Sequence, residues 1–184
     1  MTLGPRLVRL LEEELLPATA RAVAAGNKIF GAALLRKDDL STVLVGTNNE
    51  TENPLWHGEV HTIKLYHEMA VKPPPEELIF FSTHEPCSMC LSAITWAGFD
   101  NFTYLFSHED SRDAFSIPHD LKILGEVFGV PPGGYRRENA FWTSQKLGDL
   151  EGVDPVRLSA VRAEYDRLSE AYQVGKGGAG IPLD

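Results

Sequence analysis

The sequence predicts a three-layer α/β domain, on three observations. KIFGAALLR (28–36) and STVLVGTN (41–48) are strand-like runs joined by the polar KDDL, which reads as an antiparallel hairpin. ELIFFST (77–83) is continuously apolar at strand length, as a central strand covered on both faces would be. Helix-like and strand-like segments then alternate, which favours helices packed on a shared sheet.

Taken in order, PRLVRLLEEELLPATARAVAAG (5–26) carries Leu7, Leu10, Leu11 and Leu15 near helical spacing, with Gly26 as a stop. Pro17 is expected to kink or divide this helix. After the hairpin, Trp56 to Val71 turns helical through Val60, Ile63, Leu65, Tyr66 and Met69, and KPPP (72–75) ends it. The central strand leads into a helix over CSMCLSAITWAG (87–98), closed by Gly98. NFTYLF (101–106) makes a fourth strand, with Phe102, Tyr104 and Phe106 on one face. DAFSIPHDLKILGEVFG (113–129) reads as helical in pieces and VPPGGYRREN (130–139) as a loop. Asp154 caps a last helix with Pro155 at its first position, and Leu158, Val161, Tyr165, Leu168 and Tyr172 form its packing face. Residues 1–174 are therefore expected to form one domain and 175–184 (GKGGAGIPLD) a flexible tail.

At 184 residues, 43% hydrophobic and 23% charged, the composition is that of a soluble globular domain. No window offers the roughly 20 apolar residues of a membrane span. Glu12, Glu13 and Glu14 interrupt the N-terminal apolar run, unlike a signal peptide, so a cytoplasmic protein is expected. A net charge of −9, with Arg136-Arg137 the longest basic run, argues against nucleic acid as a partner.

Both cysteines lie three residues apart, at Cys87 and Cys90, where a helix is expected to begin. Positions i and i+3 share a helix face, and a helix N-terminus favours thiolates. Two thiolates and an imidazole are a common ligand set for zinc. His57, at the start of another helix, is the best third ligand; His61 and His84 are rivals. Three protein ligands leave one position open, the arrangement of catalytic zinc, at which water becomes a nucleophile near neutral pH. The alternative is a closed structural site completed by His61 or His84. A proton carrier is also needed, and Glu59 is the candidate. Its offset of two from His57 is about 200° around an ideal helix, so helix-face geometry alone does not bring it to the metal.

His57-Gly58-Glu59 followed by Pro86-Cys87-Ser88-Met89-Cys90 resembles the H-x-E…P-C-x-x-C signature of the cytidine deaminase-like zinc deaminases. IFGAALL and GTNN extend the likeness, and STHEPCSMCLSAITWAG is particularly similar to the small guanine and nucleobase deaminases. The resemblance implies a cytidine deaminase-like α/β/α fold around a mixed sheet of about five strands, one more than located above. It implies one Zn2+ per chain on His57, Cys87 and Cys90, with Glu59 moving protons. Asn48 would hydrogen-bond the base and Phe30 would wall the pocket. Asp120 matches an aspartate that reads the base, although Pro118-His119 departs from the usual context. Trp56 is a bulky departure beside the metal ligand, expected to shape the pocket, and the loop from Asn48 to His57 is short. His108 and Glu109 read as a solvated loop, with a pocket role as the alternative.

The resemblance thus implies a hydrolytic deaminase acting on a nucleobase, nucleoside or related amino-heterocycle of guanine or cytosine type. Its rivals are a tRNA adenosine deaminase, which would need basic side chains around the pocket, and a zinc-stabilised binding module without turnover. Small members of the family assemble, so a homodimer or higher homo-oligomer is expected, with no membrane partner.

Overall fold

The computed structural model describes residues 2–131 and 134–183. Position 1, residues 132 and 133 of the expected loop and residue 184 of the expected tail lie outside the described residues. Five strands form one mixed sheet in the order β2-β1-β3-β4-β5, with β1 at Gly31–Arg36, β2 at Thr42–Thr47, β3 at Leu78–His84, β4 at Asn101–Phe106 and β5 at Thr143–Lys146. β1 is antiparallel to both β2 and β3, whereas β3, β4 and β5 run parallel. Helices cover both faces, as the fold class requires. They are α1 (Leu3–Leu10), α2 (Leu16–Ala24), α3 (Gly58–Glu68), α4 (Ser88–Trp96), α5 (His108–Phe115), α6 (His119–Phe128) and α7 (Pro155–Gly175). No described helix is long and apolar enough to cross a membrane.

Strand alternation sorts the core into two clusters. Ala33, Leu35, Ile79, Phe81 and Leu105 face the first, which α1, α2, α5 and α7 complete through Leu7, Val23, Phe115, Val161 and Tyr165. Ala32, Leu34, Phe80, Phe102 and Tyr104 face the second, filled by Tyr66 of α3, Ile94 of α4 and the intervening Phe99. Phe106 leaves the face of Phe102 and Tyr104: at the end of β4 it packs edge-on to Phe115 and Tyr165 in the first cluster.

Several boundaries differ from expectation for local reasons. The helix around Pro17 is not broken: Leu11–Leu15 forms a π turn and the backbone stays right-handed through Leu16. Pro17 has no N–H to give to the preceding turn, and the wider turn accommodates the missing bond. α3 starts two residues later than expected, because His57 is its extended N-cap (φ −61, ψ 158). α7 is capped by the Asp154 carboxylate, which accepts from the Val156 N–H at 2.8 Å. Ser116, at φ 58, separates the two pieces α5 and α6. β5, TSQK, has no apolar alternation because it lies at the sheet edge. In the expected tail, Ile181 is buried.

Two features bring the site together. β3 ends at His84 and passes Cys87, the extended N-cap of α4 (φ −66, ψ 171). α3 begins against β1: a Cβ on Gly58 would meet the Gly31 Cα at 2.8 Å and its nitrogen at 2.9 Å. Glycine is required at 58 so that the helix can approach the strand this closely. Gly58→Ala is expected to cost about 1–3 kcal/mol of stability through overpacking, measured by denaturant unfolding of the folded variant.

Candidate active site

Among the described residues, only His57, Cys87 and Cys90 bring metal-donor atoms close enough to share an ion. The sulfurs lie 3.5 Å apart, and His57 Nδ1 lies 3.6 Å from Cys87 Sγ and 3.7 Å from Cys90 Sγ. A tetrahedral zinc with Zn–S near 2.3 Å and Zn–N near 2.0–2.1 Å needs donor separations of about 3.8 Å (S–S) and about 3.6 Å (N–S). The triangle fits zinc, and Nδ1 is the nitrogen that faces it.

The rival histidines are engaged elsewhere. His61 Nδ1 contacts the Thr47 carbonyl at 2.8 Å, and its ring stacks on Trp56. His84 is buried among Phe30, Phe106, Phe115 and Tyr165. Thr83 Oγ1 accepts from the Gly31 N–H and lies 2.8 Å from His84 Nδ1, so its hydroxyl proton is available to that nitrogen. Burial, with Arg162 adding to it, holds His84 well below the ordinary histidine range, in its neutral form.

Glu59 reaches the triangle. Its Oε2 lies 3.3 Å from Cys90 Sγ, and its side chain is buried. The helix-face objection fails because His57 precedes α3 as an extended N-cap, so the ideal helical rotation does not relate positions 57 and 59. Ser82 Oγ lies 2.8 Å from Glu59 Oε1 and 2.6 Å from the His84 carbonyl oxygen. A hydroxyl has one proton to donate. Both contacts are fully made only when Glu59 carries a proton and gives it to Ser82. Burial raises the Glu59 carboxyl above its ordinary range in the same direction, with Cys87 adding to it.

The triangle opens into a cavity of about 540 Å³ walled by Phe30, His57, Cys87, Ile117, Asp120 and Phe128 among others. Burial, reinforced by Cys87, pushes Asp120 up to about 7. Lys28 and Glu50 also border it, and Pro182 and Leu183 of the expected tail lie along its wall. Asn48, expected to hydrogen-bond the base, and Trp56, expected to shape the pocket, are not among the described residues that line this cavity. Asn48 accepts the Gly58 N–H through Oδ1 and donates through Nδ2 to Glu50 at 2.7 Å, so local bonds hold its amide behind the wall. Trp56 lies over His61, with the Lys64 ammonium 5.0 Å from its ring centre. His108 is buried, not solvated: its ring Nε2 lies 3.1 Å from the Pro86 carbonyl, and its backbone N–H donates to Glu85. Glu109 is partly exposed on α5.

Ser82, Glu85, Lys28 and Glu50 were not singled out by sequence reasoning. Glu85 accepts from Arg137 at 2.7 Å and from Tyr135, tying the segment after α6 to the cysteine loop. Lys28 and Glu50 had a legible signal. β1 and β2 pair Gly31 with Thr47, and that register, extended past the strand ends, sets 28 opposite 50.

Three comparisons bear on this arrangement. The family model of the cytidine and deoxycytidylate deaminase zinc-binding region matches residues 8–106. Guanine deaminase of Bacillus subtilis is 32% identical over 87 residues, covering 46% of this chain and 54% of the relative; the chain thus spans about half the length of the curated relative it matches. An X-ray structure of guanine deaminase from Bacillus subtilis superposes with a TM-score of 0.54 at 22% identity, covering 84% of this chain and 90% of that one. Guanine deaminase from Nitrosomonas europaea gives 0.51 at 19% identity, covering 83% and 81%. At these identities the two structures establish a shared fold.

Metal-free protonation sets the pH dependence of zinc binding. Burial disfavours the His57 imidazolium, but Cys87, Glu59 and Glu50 outweigh it and carry the group up to about 9. Cys87 is held well below its ordinary range, first by its contact with Cys90, whereas burial pushes Cys90 well above it. At neutral pH the free site therefore holds a proton on His57 and another on Cys90, both displaced by the metal. Zinc binding is expected to release about two protons and to weaken about 100-fold per unit of falling pH around neutrality. Titration calorimetry in buffers of different ionisation enthalpy measures the release; zero net release would contradict this protonation scheme.

Proposed function

The chain belongs to the cytidine and deoxycytidylate deaminase zinc-binding family, and from that membership we propose that it is a hydrolase releasing ammonia from a nucleobase-type amino-heterocycle. The observation that carries the reading is a buried carboxylate, Glu59, set 3.3 Å from one sulfur of a zinc-fitting triangle that opens on a ligand-sized cavity.

His57, Cys87 and Cys90 would hold the ion. Zinc, when bound, would activate the water consumed in the reaction. Glu59 takes one proton from that water and delivers it to the ring nitrogen next to the amine-bearing carbon. It then relays the second proton to the departing amine. Water and an amino-substituted ring carbon thus become a carbonyl and ammonia, with one carboxylate acting as base and then acid. Ser82 gives the protonated form of Glu59 an acceptor between the two transfers. Phe30 lies against one side of the ring, and Asp120 accepts a ring or exocyclic N–H at the opposite wall. Asn48 supports the site indirectly, through Gly58 and Glu50.

A guanine-type base is the favoured substrate, supported by the activity named for the Bacillus subtilis and Nitrosomonas europaea relatives. Lys28, the one lysine or arginine of the cavity wall among the described residues, is already paired with Glu50, which argues against a phosphorylated substrate. Exposed Trp96 and Phe141 support assembly into a homo-oligomer, and a cytoplasmic location belongs to the same reading.

The decisive experiment is an ammonia-release screen of zinc-loaded protein on guanine, cytosine, adenine, their nucleosides and related heterocycles, with an anticodon stem-loop alongside. Turnover of a free base is expected. Inosine formation on the RNA, without base turnover, would overturn the ranking. Glu59→Gln is expected to lower kcat by about 10²–10⁴ while zinc content stays at one per chain; full activity in that variant would refute the assigned role. Asp120→Asn is expected to raise KM by about 10–100-fold with a smaller effect on kcat, the consequence of losing a charged hydrogen bond to the substrate.

A further inference from the structure

Lys28 and Glu50 form a buried ion pair at the edge of the cavity. Lys28 Nζ lies 2.9 Å from Glu50 Oε1, and their side chains are 5% and 1% exposed. Burying two charges is unfavourable unless they are well paired and hydrogen-bonded. Glu50 has such support: Oε2 accepts from Asn48 Nδ2 at 2.7 Å and from the Lys28 backbone N–H at 3.4 Å. A carboxylate held this firmly, yet almost without exposed surface, is poorly placed to meet a substrate. What it faces is His57: Glu50 Oε1 lies 3.7 Å from Nε2, the ring nitrogen turned away from the sulfurs.

We propose that Glu50, with Lys28 as its counter-ion, is a positioning residue that orients His57 toward the metal through the ring's Nε2–H. The tautomer follows from the donor set. Nδ1 can ligate only when it carries no proton, so the neutral ring keeps its proton on Nε2, the nitrogen facing Glu50. Histidines that bind metals usually give their second N–H to a carboxylate or carbonyl, which fixes the ring and raises its basicity. The present 3.7 Å is longer than a hydrogen bond, and an approach of under about 1 Å closes it. Lys28 keeps the added carboxylate tolerable beside Glu59 and two thiolates. Asn48 ties the pair to the backbone at Gly58, so one connected network sets both the ring of His57 and the start of α3.

This assignment rests on zinc binding at His57, Cys87 and Cys90, so uptake by the unmodified protein is measured first; failure there would remove the zinc reading itself. Glu50→Gln alone leaves Lys28 buried without a partner, and the paired variant Lys28→Met/Glu50→Gln removes both charges while keeping the shapes. Zinc affinity is read by competition with a chromophoric chelator, and ligand geometry by the absorption of the cobalt(II)-substituted protein. The folded paired variant is expected to bind zinc 10–100-fold more weakly, with an altered cobalt spectrum. Unchanged affinity and spectrum in that variant would overturn the assignment while leaving the zinc site intact. A second measurement needs no variant: in the zinc-loaded wild type labelled with 15N-histidine, the His57 Nε2–H is expected to be protected from exchange and shifted downfield. A proton there exchanging freely with solvent would equally overturn it.

Discussion

At the site, backbone packs against backbone where Gly58 meets Gly31, with no room for a methyl group between them. Gly31 is itself fixed, because its N–H donates to Thr83 Oγ1 on β3 at 2.9 Å. The start of β1, the end of β3 and the first turn of α3 are thus held to one another. Three residues separate the end of β3 from the start of α4, so the two helix starts come together at the same edge of the sheet. His57 and Cys87 are both extended N-caps, and Cys90 and Glu59 follow within the first turns. The metal triangle is therefore a consequence of where two helices are allowed to begin.

That convergence concentrates negative charge. Cys87, Cys90, Glu59 and Glu50 are all buried, and Asp120 stands at the cavity wall. Two thiolates 3.5 Å apart, with a carboxylate oxygen 3.3 Å from one of them, repel unless protons or a cation intervene. Without metal, protons fill that role: Cys90 and Glu59 are shifted upward and His57 is carried toward its charged form. A divalent cation held by His57, Cys87 and Cys90 would replace the protons on His57 and Cys90, whereas at Ser82 the oxygen geometry is complete only when Glu59 holds a proton. On the proposed reading, the ligands would exchange protons for metal while Glu59 keeps a place to hold one.

The His57, Cys87 and Cys90 cluster, with Glu59 beside it, was legible as a grouping because the motif is short and each half is carried by one strand–helix or loop–helix junction. What failed was geometry inferred one element at a time. The 200° objection to Glu59 treated His57 as helical, whereas its extended backbone lies before the helix. Asn48 stands where the sequence puts it, at the end of β2, but its amide is taken up by Gly58 and Glu50, partners fixed only by tertiary approach. β5 could not be read because TSQK has no apolar alternation, its pairing being supplied by the neighbouring β4 backbone. Phe106 followed the strand period in sequence and departed from it in space, because Phe115 and Tyr165 cover the strand end from the other side. Ile181 sits in a glycine-rich stretch whose composition gives no hint of burial.

The same charge distribution bears on what the cavity can admit. Its polar groups cluster near the metal triangle, while Ile123, Val127 and Phe128 of α6 and Leu183 supply apolar wall. Val127 and Phe128 remain 68% and 59% exposed, so this part of the wall is open to solvent. A phosphate group brought here would meet Asp120, and the Lys28 ammonium, already held by Glu50 at 2.9 Å, would not be free to replace the hydration it loses. A neutral planar ring incurs no such desolvation cost; it can stack against Phe30, present N–H groups to Asp120 and leave its apolar edge toward α6. Among the described residues of the wall, the one lysine is thus committed to an acidic partner and not to the cavity.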